Sequence, residues 1–324
     1  MAALDVVGFG AMNIDQLYKV DEIVANGEQS VNNFESVPGG SAANTIYGLA
    51  KLGVKTGFVG AVGIDADGED LIKDFKDVAV DTSQVRVKQK VKTGSTICLS
   101  DRLGGRAIYV SSGANNLLGA EDVDLAYLNQ TQIIHMSSFA DDRQFNLQID
   151  VTEKLPISVT VSLAPGMLYI TRGLKALVPL LKRDSIVFMN REEIERLAGV
   201  DFKSGTREIA KLGCQIVIVT LGKGLDKGKA GMVTAYIYDR RQEQEYEVES
   251  AEVAAKLPLE STGAGDAFAA GFLYGFLKGK RIEECGLLGD IMAGFVIRGV
   301  GARKGLPTLS QLSQKYLQRS GNPL

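Results

Sequence analysis

Gly263-Ala264-Gly265-Asp266 joins small backbone links to a carboxylate, directly ahead of an apolar run that ends near Leu277. Such links let a ligand approach the chain closely, and the N–H groups at a helix start have no partner inside the helix. Those groups and the helix dipole favour a negative charge such as phosphate. Asp266 falls in the first turn, and a carboxylate base beside an anion hole suits phosphoryl transfer to a hydroxyl. The same four residues also suit a tight turn that merely caps a buried helix, and alone they do not decide between the two.

Other polar groups sit at element ends. Asn13 and Asp15 follow the first apolar run, at the strand end where open α/β sheets bind ligands. Gly39-Gly40 precedes a helix whose expected N-cap is Ser41, with Asn44 one turn in. Asn190 and Glu193, spaced i, i+3, share the face of a helix start, either as a cap with an exposed acid or as a ligand-facing pair. Thr220 and Gly222 end a further strand with a hydroxyl and a flexible link. Singly, each of these fits ordinary turn chemistry.

Several alternatives fail on spacing. Gly8 to Asn13 nearly spells GxGxxG, but residues 14–37 read as two strands around Asn26-Gly27, so no dinucleotide-binding helix follows. Lys227-Gly228-Lys229 is not a P-loop: position 223 is Lys223 where glycine is needed, and Ala230 replaces the hydroxyl residue. His135, the single histidine, has no partner motif and reads as structural. Arg86, Lys88, Lys90 and Lys92 alternate with Val85, Val87, Gln89 and Val91, the pattern of a solvated strand face.

The elements that must position these groups follow from periodicity. Strands are expected at 4–9, 56–62, 131–137, 157–162, 185–189 and 215–220, with helices at 42–52 and 67–75 and helical stretches between the later strands. A hairpin at 232–238 and 245–249 precedes helices at 264–277, 281–299 and from 310. That alternation predicts an α/β fold, a doubly wound and mostly parallel sheet flanked by helices. Residues 14–37 and 94–112 carry strands without intervening helices, and predict a small β-sheet lid inserted in a single domain over 1–324.

With 324 residues the chain can bury a large core, and 45% apolar with 23% charged residues is ordinary for a globular protein. A net charge of −3 and a pI near 5.5 give no general attraction to nucleic acid or anionic membrane. Cys98, Cys214 and Cys285 form no CxxC pair, so neither a disulfide framework nor zinc is indicated. No apolar run reaches membrane-spanning length and the N-terminus lacks a basic leader, so a cytoplasmic setting is expected.

GxxNxD (10–15), GGSAAN (39–44), VGAVGIDADG (59–68), GAN (113–115), NREE (190–193), VTLG (219–222), STGAGD (261–266) and GARKGLPT (301–308) occur in that order. Together they resemble the ribokinase-like, PfkB-type carbohydrate kinase family. The resemblance implies transfer of the ATP γ-phosphoryl group to a sugar or nucleoside hydroxyl, with magnesium. It implies that Asp266 is the base and that Gly263, Ala264 and Gly265 form the anion hole. Asn190 and Glu193 match the pair that places Mg2+, partly through water. Thr220 and Gly222 match the nucleotide-phosphate loop, and the start of helix 281–299, near Asp290, lies where the adenine pocket should close. Asn13, Asp15, Gly39, Gly40 and Asn44 match the substrate-binding residues.

Some positions depart from that pattern. Glu260 stands where members often have Asp, and the loop 221–231 is longer and more basic than usual. Arg303, Lys304 and Gly305 replace a serine that helps a monovalent-cation site in ribokinases, which leaves activation by potassium open. Ser41 stands where sugar-phosphate members usually present a lysine, so an unphosphorylated sugar is the expected acceptor, although Arg102, Arg106 or Lys92 could compensate. A nucleoside is the alternative, with Phe9, Met12, Tyr109 and Met136 as candidates to line a base slot. Apolar residues on the lid's second face suggest a homodimer through the lid. The intact Asp266 and Asn190/Glu193 pair argue against a binding protein that has lost catalysis.

Overall fold

The computed structural model describes residues 4–103, 105–183, 185–226, 228, 231–250 and 262–324. Glu260, Ser261, Lys227, Lys229 and Ala230, weighed above, lie outside those residues. From the N-terminus, β1 (Val6–Phe9) leads into β2 (Asn13–Lys19) and β3 (Asn33–Gly39), then α1 (Ser41–Lys51), β4 (Thr56–Gly63) and α2 (Ala66–Asp77). After β5 (Val85–Lys88) come the paired strands β6 (Gly94–Ser100) and β7 (Arg106–Ser111), and the short helix α3 (Leu125–Leu128). The alternating part follows: β8 (Ile133–Ser137), α4 (Asp142–Lys154), β9 (Thr160–Ala164), α5 (Gly166–Ile170), α6 (Leu174–Leu181), β10 (Ile186–Asn190), α7 (Arg191–Ala198), α8 (Phe202–Lys211) and β11 (Ile216–Asp226). The hairpin β12 (Met232–Asp239) and β13 (Gln244–Ser250) precedes α9 (Ala264–Leu277), α10 (Ile282–Val296) and α11 (Leu309–Ser320).

Among the described residues, nine strands form one sheet in the order β13-β12-β11-β10-β9-β8-β1-β4-β5. It is parallel from β11 to β5, and the β12–β13 hairpin adds antiparallel at one edge. Apolar residues fill both faces of its central strands, as expected where helices cover both sides. Alternation then sorts them: Val6, Phe58, Ile133, Ile186 and Ile216 join one core with α1, α9 and α10, while Val7, Val59, Ile134, Val187 and Val217 join the other. This is the doubly wound arrangement the periodicity predicts.

Helix α9 is buried from Ala267 to Gly275 and packs against α1 and α10. Its small residues permit the close approach: a Cβ on Gly271 would lie 2.4 Å from the carbonyl oxygen of Leu288 on α10. The separate sheet, in the order β3-β2-β6-β7, rests on two clamps at its roots. Asn115 accepts from Met12 N (3.0 Å) and donates to Met12 O (3.1 Å), while Asp65 N-caps α2 through Gly68 N and accepts from Thr93 N (2.8 Å). Two of the sequence motifs, GAN and VGAVGIDADG, thus hold the small sheet to the large one.

Among the boundaries that differ from expectation, three have a local cause. The strand expected at 157–162 begins at Thr160, because Pro156 starts a turn closed by Val159 N donating to Pro156 O (3.1 Å) and leaves Ile157 exposed. Ser41 is not the N-cap of α1; Gly40 is, with φ 95° and no side-chain cap. β11 does not stop at Thr220 but resumes after a register shift and runs to Asp226.

Candidate active site

The N-termini of α1 and α9 meet, with Ser41 and Asn44 of α1 reaching Asp266 of α9. Gly263, the residue before α9, has φ 78°, and a Cβ there would lie 2.2 Å from the Ala302 methyl. Gly40, before α1, has φ 95°, and a Cβ there would lie 2.2 Å from Ala11 O. Both turns therefore require glycine, for left-handed backbone and for space. Among the described residues no side chain caps α9, and the N–H groups of its first turn are free to face a ligand.

Asp266 is held from α1. Ser41 Oγ donates to its Oδ1 (2.7 Å) and Asn44 Nδ2 to its Oδ2 (2.9 Å), while Thr45 Oγ1 donates to its backbone carbonyl (3.2 Å). Burial pushes the Asp266 carboxyl up to about 6, and nearby Asp15 adds to this; the two hydrogen bonds and Arg303 oppose it. Such a group is ionised at neutral pH yet basic enough to accept a proton.

Asp15, Gly39 and Asn44 lie together beside Asp266. Asp15 is buried, and its Oδ1 accepts from Thr96 Oγ1 (2.6 Å). A Cβ on Gly39 would lie 2.2 Å from the Asp15 carboxylate, so that glycine is required by contact. Burial raises the Asp15 carboxyl, against Thr96 and Arg303. Asn13 is the first residue of β2, and its Oδ1 accepts from Asn115 Nδ2 (2.9 Å).

Asn190 and Thr220 are register partners at the carboxyl ends of neighbouring strands. Asn190 and Glu193 form a capping box: Glu193 N donates to Asn190 Oδ1 (2.9 Å) and Asn190 N to Glu193 Oε2 (2.8 Å). Burial raises the Glu193 carboxyl first, and Glu192 and Asp266 add to it, which places Glu193 in electrostatic range of Asp266. Gly222 has φ 58° with open space where a side chain would stand. Among the described residues, no three His, Cys, Asp or Glu side chains cluster to hold a metal alone. A lone carboxylate of raised pKa still fits magnesium, which takes one or two protein oxygens and keeps water and phosphate ligands.

Asp290 is a correction. It lies in the second half of α10, not at its start, and is buried. Thr234 Oγ1 donates to its Oδ1 (2.6 Å) and Arg319 donates to its Oδ2, so it ties β12, α10 and α11 together. Of the candidates for a base slot, Phe9, Met12 and Met136 are fully buried in the cores, and Tyr109 is exposed on β7. His135 is buried against Ser162, in keeping with a structural role.

Arg303 is the group whose role the sequence did not reveal. It is 6% exposed, and its guanidinium meets Asn44, Asp74 and the Gly39 carbonyl. Asn115 likewise carried no role beyond its place in a motif.

This is the fold of a ribokinase-like kinase. The chain belongs to the pfkB family of carbohydrate kinases, whose model matches residues 3–309. An uncharacterized sugar kinase of Archaeoglobus fulgidus is 37% identical over 263 residues, 80% of this chain and 98% of that one. A nucleoside kinase of Methanocaldococcus jannaschii is 25% identical over 316 residues, 97% of each chain. The crystal structure of a probable sugar kinase from Rhizobium etli matches with a TM-score of 0.82 at 25% identity, over 97% of this chain and 99% of that one. The protein is accordingly an ATP-dependent phosphotransferase with an alcohol group as acceptor. Among the described residues, no helix is long and apolar enough to cross a membrane.

Proposed function

We propose that the protein transfers the γ-phosphoryl group of ATP to a hydroxyl of a small, unphosphorylated sugar. The observation that carries this reading is the charge at the acceptor end of the cleft. Asp15 and Asp266 lie within Coulombic range of each other, and the buried cation there, Arg303, is already engaged by Asp74, Asn44 and Gly39. A phosphorylated acceptor would bring further negative charge against two carboxylates. A polyol instead offers hydroxyl donors, and Asp15 Oδ2 accepts from no described residue.

In the reaction, the acceptor oxygen bonds to the γ-phosphorus while the bond from that phosphorus to the bridging oxygen breaks and ADP leaves. Asp266 takes the proton of the attacking hydroxyl. The first-turn N–H groups of α9, at Ala264 and Gly265, stabilise charge on the transferred group. Asn190, Thr220 and Gly222 serve the nucleotide phosphates, and Glu193 with Asn190 would hold magnesium, whose charge offsets that of the phosphates. The small sheet closes as a lid and excludes water.

A nucleoside is the second reading, favoured by the lid's inner face. Thr96, which donates to Asp15, pairs in register with Val110, and its face continues to Ile108 opposite Cys98. Val110 and Ile108 are 39% and 57% exposed, an apolar surface that could cover a base. Comparing kcat/KM for ribose, adenosine, cytidine and fructose 6-phosphate at matched concentrations tests both readings. An unphosphorylated acceptor should be preferred; preference for the sugar phosphate would overturn the charge argument.

Glu193→Gln isolates the metal role. Glutamine at this position still accepts from Asn190 N, so the capping box and helix survive. The magnesium concentration for half-maximal rate should rise several-fold, because magnesium prefers charged oxygen ligands. An unchanged magnesium titration would leave Glu193 as a helix cap alone.

A further inference from the structure

Arg303 lies in the segment between α10 and α11, buried beneath the turn that carries Gly39 and Gly40. Its donors serve different elements: Nε to Asn44 Oδ1 (2.9 Å), Nη1 to Asp74 Oδ2 (2.5 Å) and Nη2 to Gly39 O (3.1 Å). The guanidinium also stands over the rings of Tyr47 and Phe75, each centroid 5.2 Å away. A buried cation is tolerated in such a setting because it is paired with a carboxylate and covered by aromatic faces.

We propose that Arg303 is a positioning residue that locks the amide of Asn44 with Nδ2 toward Asp266. The inference rests on the reading of Asp266 as the base. A guanidinium can only donate, so the oxygen of Asn44 must face Arg303 and its NH2 must face Asp266. Ionised Asp266 would select that orientation unaided. Once Asp266 has taken a proton, a free Asn44 could turn its oxygen to the new O–H and hold the proton there. Arg303 blocks that rotation, so Asn44 favours the ionised base in both states. The Asp74–Arg303–Asn44–Asp266 chain thus links α2 to the reacting hydroxyl, and through Gly39 the same guanidinium fixes the turn against Asp15.

The charged groups that bear on Asp266 give the test its sign. Asp15 on β2 raises its pKa, Arg303 lowers it, Glu193 on α7 is coupled to it, and Asp74 stands behind Arg303. With the full-length enzyme and the best acceptor from the panel, Arg303→Met should lower kcat by about 10- to 100-fold, the scale of a misplaced catalytic group. It should also move the acid limb of the kcat–pH profile upward, with KM for ATP little changed. Arg303→Lys should recover little turnover, since one ammonium cannot reach the three acceptors that the planar fork serves. Asp74→Asn leaves Arg303 in place without its counter-charge, and should move the acid limb downward. Opposite shifts from the two variants are not expected of a residue that only supports the fold.

Parental turnover and acid limb in Arg303→Met, with Asp266→Asn inactive, would overturn this inference alone. If Arg303→Met fails to fold, an unmoved acid limb in Asp74→Asn does the same. Parental turnover in Asp266→Asn would remove the base and this inference with it.

Discussion

Asp266→Asn should lower kcat by about 10²–10⁴, the contribution of a general base, while ATP still binds. The substitution is sterically quiet. The amide that replaces the carboxylate can accept from Asn44 Nδ2 and donate to Ser41 Oγ, a hydroxyl that accepts as readily as it donates, so both native contacts survive in altered polarity. The parent's kcat should fall as pH drops through about 6, where Asp266 takes its proton, and the residual rate of the variant should lack that limb. Stability should move the other way. Burial raises the folded pKa of Asp266 from 3.8 to about 6, so its contribution is most favourable below the unfolded value and is lost as pH rises through the folded one. At pH near 8 the ionised carboxylate is a burden that the neutral amide lacks, and Asp266→Asn should melt at or above the parent's temperature; the advantage should vanish as pH is lowered toward about 4. Turnover within a few-fold of the parent, or a melting temperature well below it at pH near 8, would count against Asp266 as a base of raised pKa.

How far the site was legible depended on the range over which its chemistry is written. The capping box at Asn190 and Glu193 spans one helical turn, and the left-handed glycines Gly40 and Gly263 sit beside the helices they start, so local spacing exposed them. α9 was readable because a helix apolar on all sides has to be buried. Arg303 was not readable: its three acceptors lie 229 to 264 residues earlier, and no periodicity connects them. Ser41 misled for the opposite reason. Its type and place fit an N-cap, but Ser41 is already the first residue of α1, and its hydroxyl donates across to the carboxylate of Asp266, 225 residues away in the chain. Asp290 shows the same limit, since nothing around it in the chain announces Arg319 or Thr234 as partners. A strand end was missed at Thr220 because β11 resumes its pairing only after the register shift.

Gly265→Ala should cost turnover about 10²-fold or more, the scale at which a reacting group displaced by about 1 Å loses rate, and should leave the fold at least as stable. Position 265 lies in the first turn of α9 and is exposed. A Cβ there meets no described residue within 4 Å, and the backbone is helical, so no contact among the described residues forbids the methyl. Alanine in a helix is favoured over glycine by about 1 kcal/mol at most, so thermal stability should rise slightly or hold. Any loss of rate must then come from the ligand side, where the methyl stands beside the N–H groups proposed to receive the transferred phosphoryl group. Acceptor KM should change little, because on the proposed reading the acceptor hydroxyls are held by Asp15 on β2, away from position 265. Gly263→Ala cannot make this distinction: with φ 78° and Ala302 at 2.2 Å, it should damage the fold and the rate together. Measuring kcat, acceptor KM and melting temperature of Gly265→Ala side by side decides the matter. A stable variant with near-parental kcat would mean that the open space over Gly265 is not where phosphate travels, and the anion hole would have to lie elsewhere.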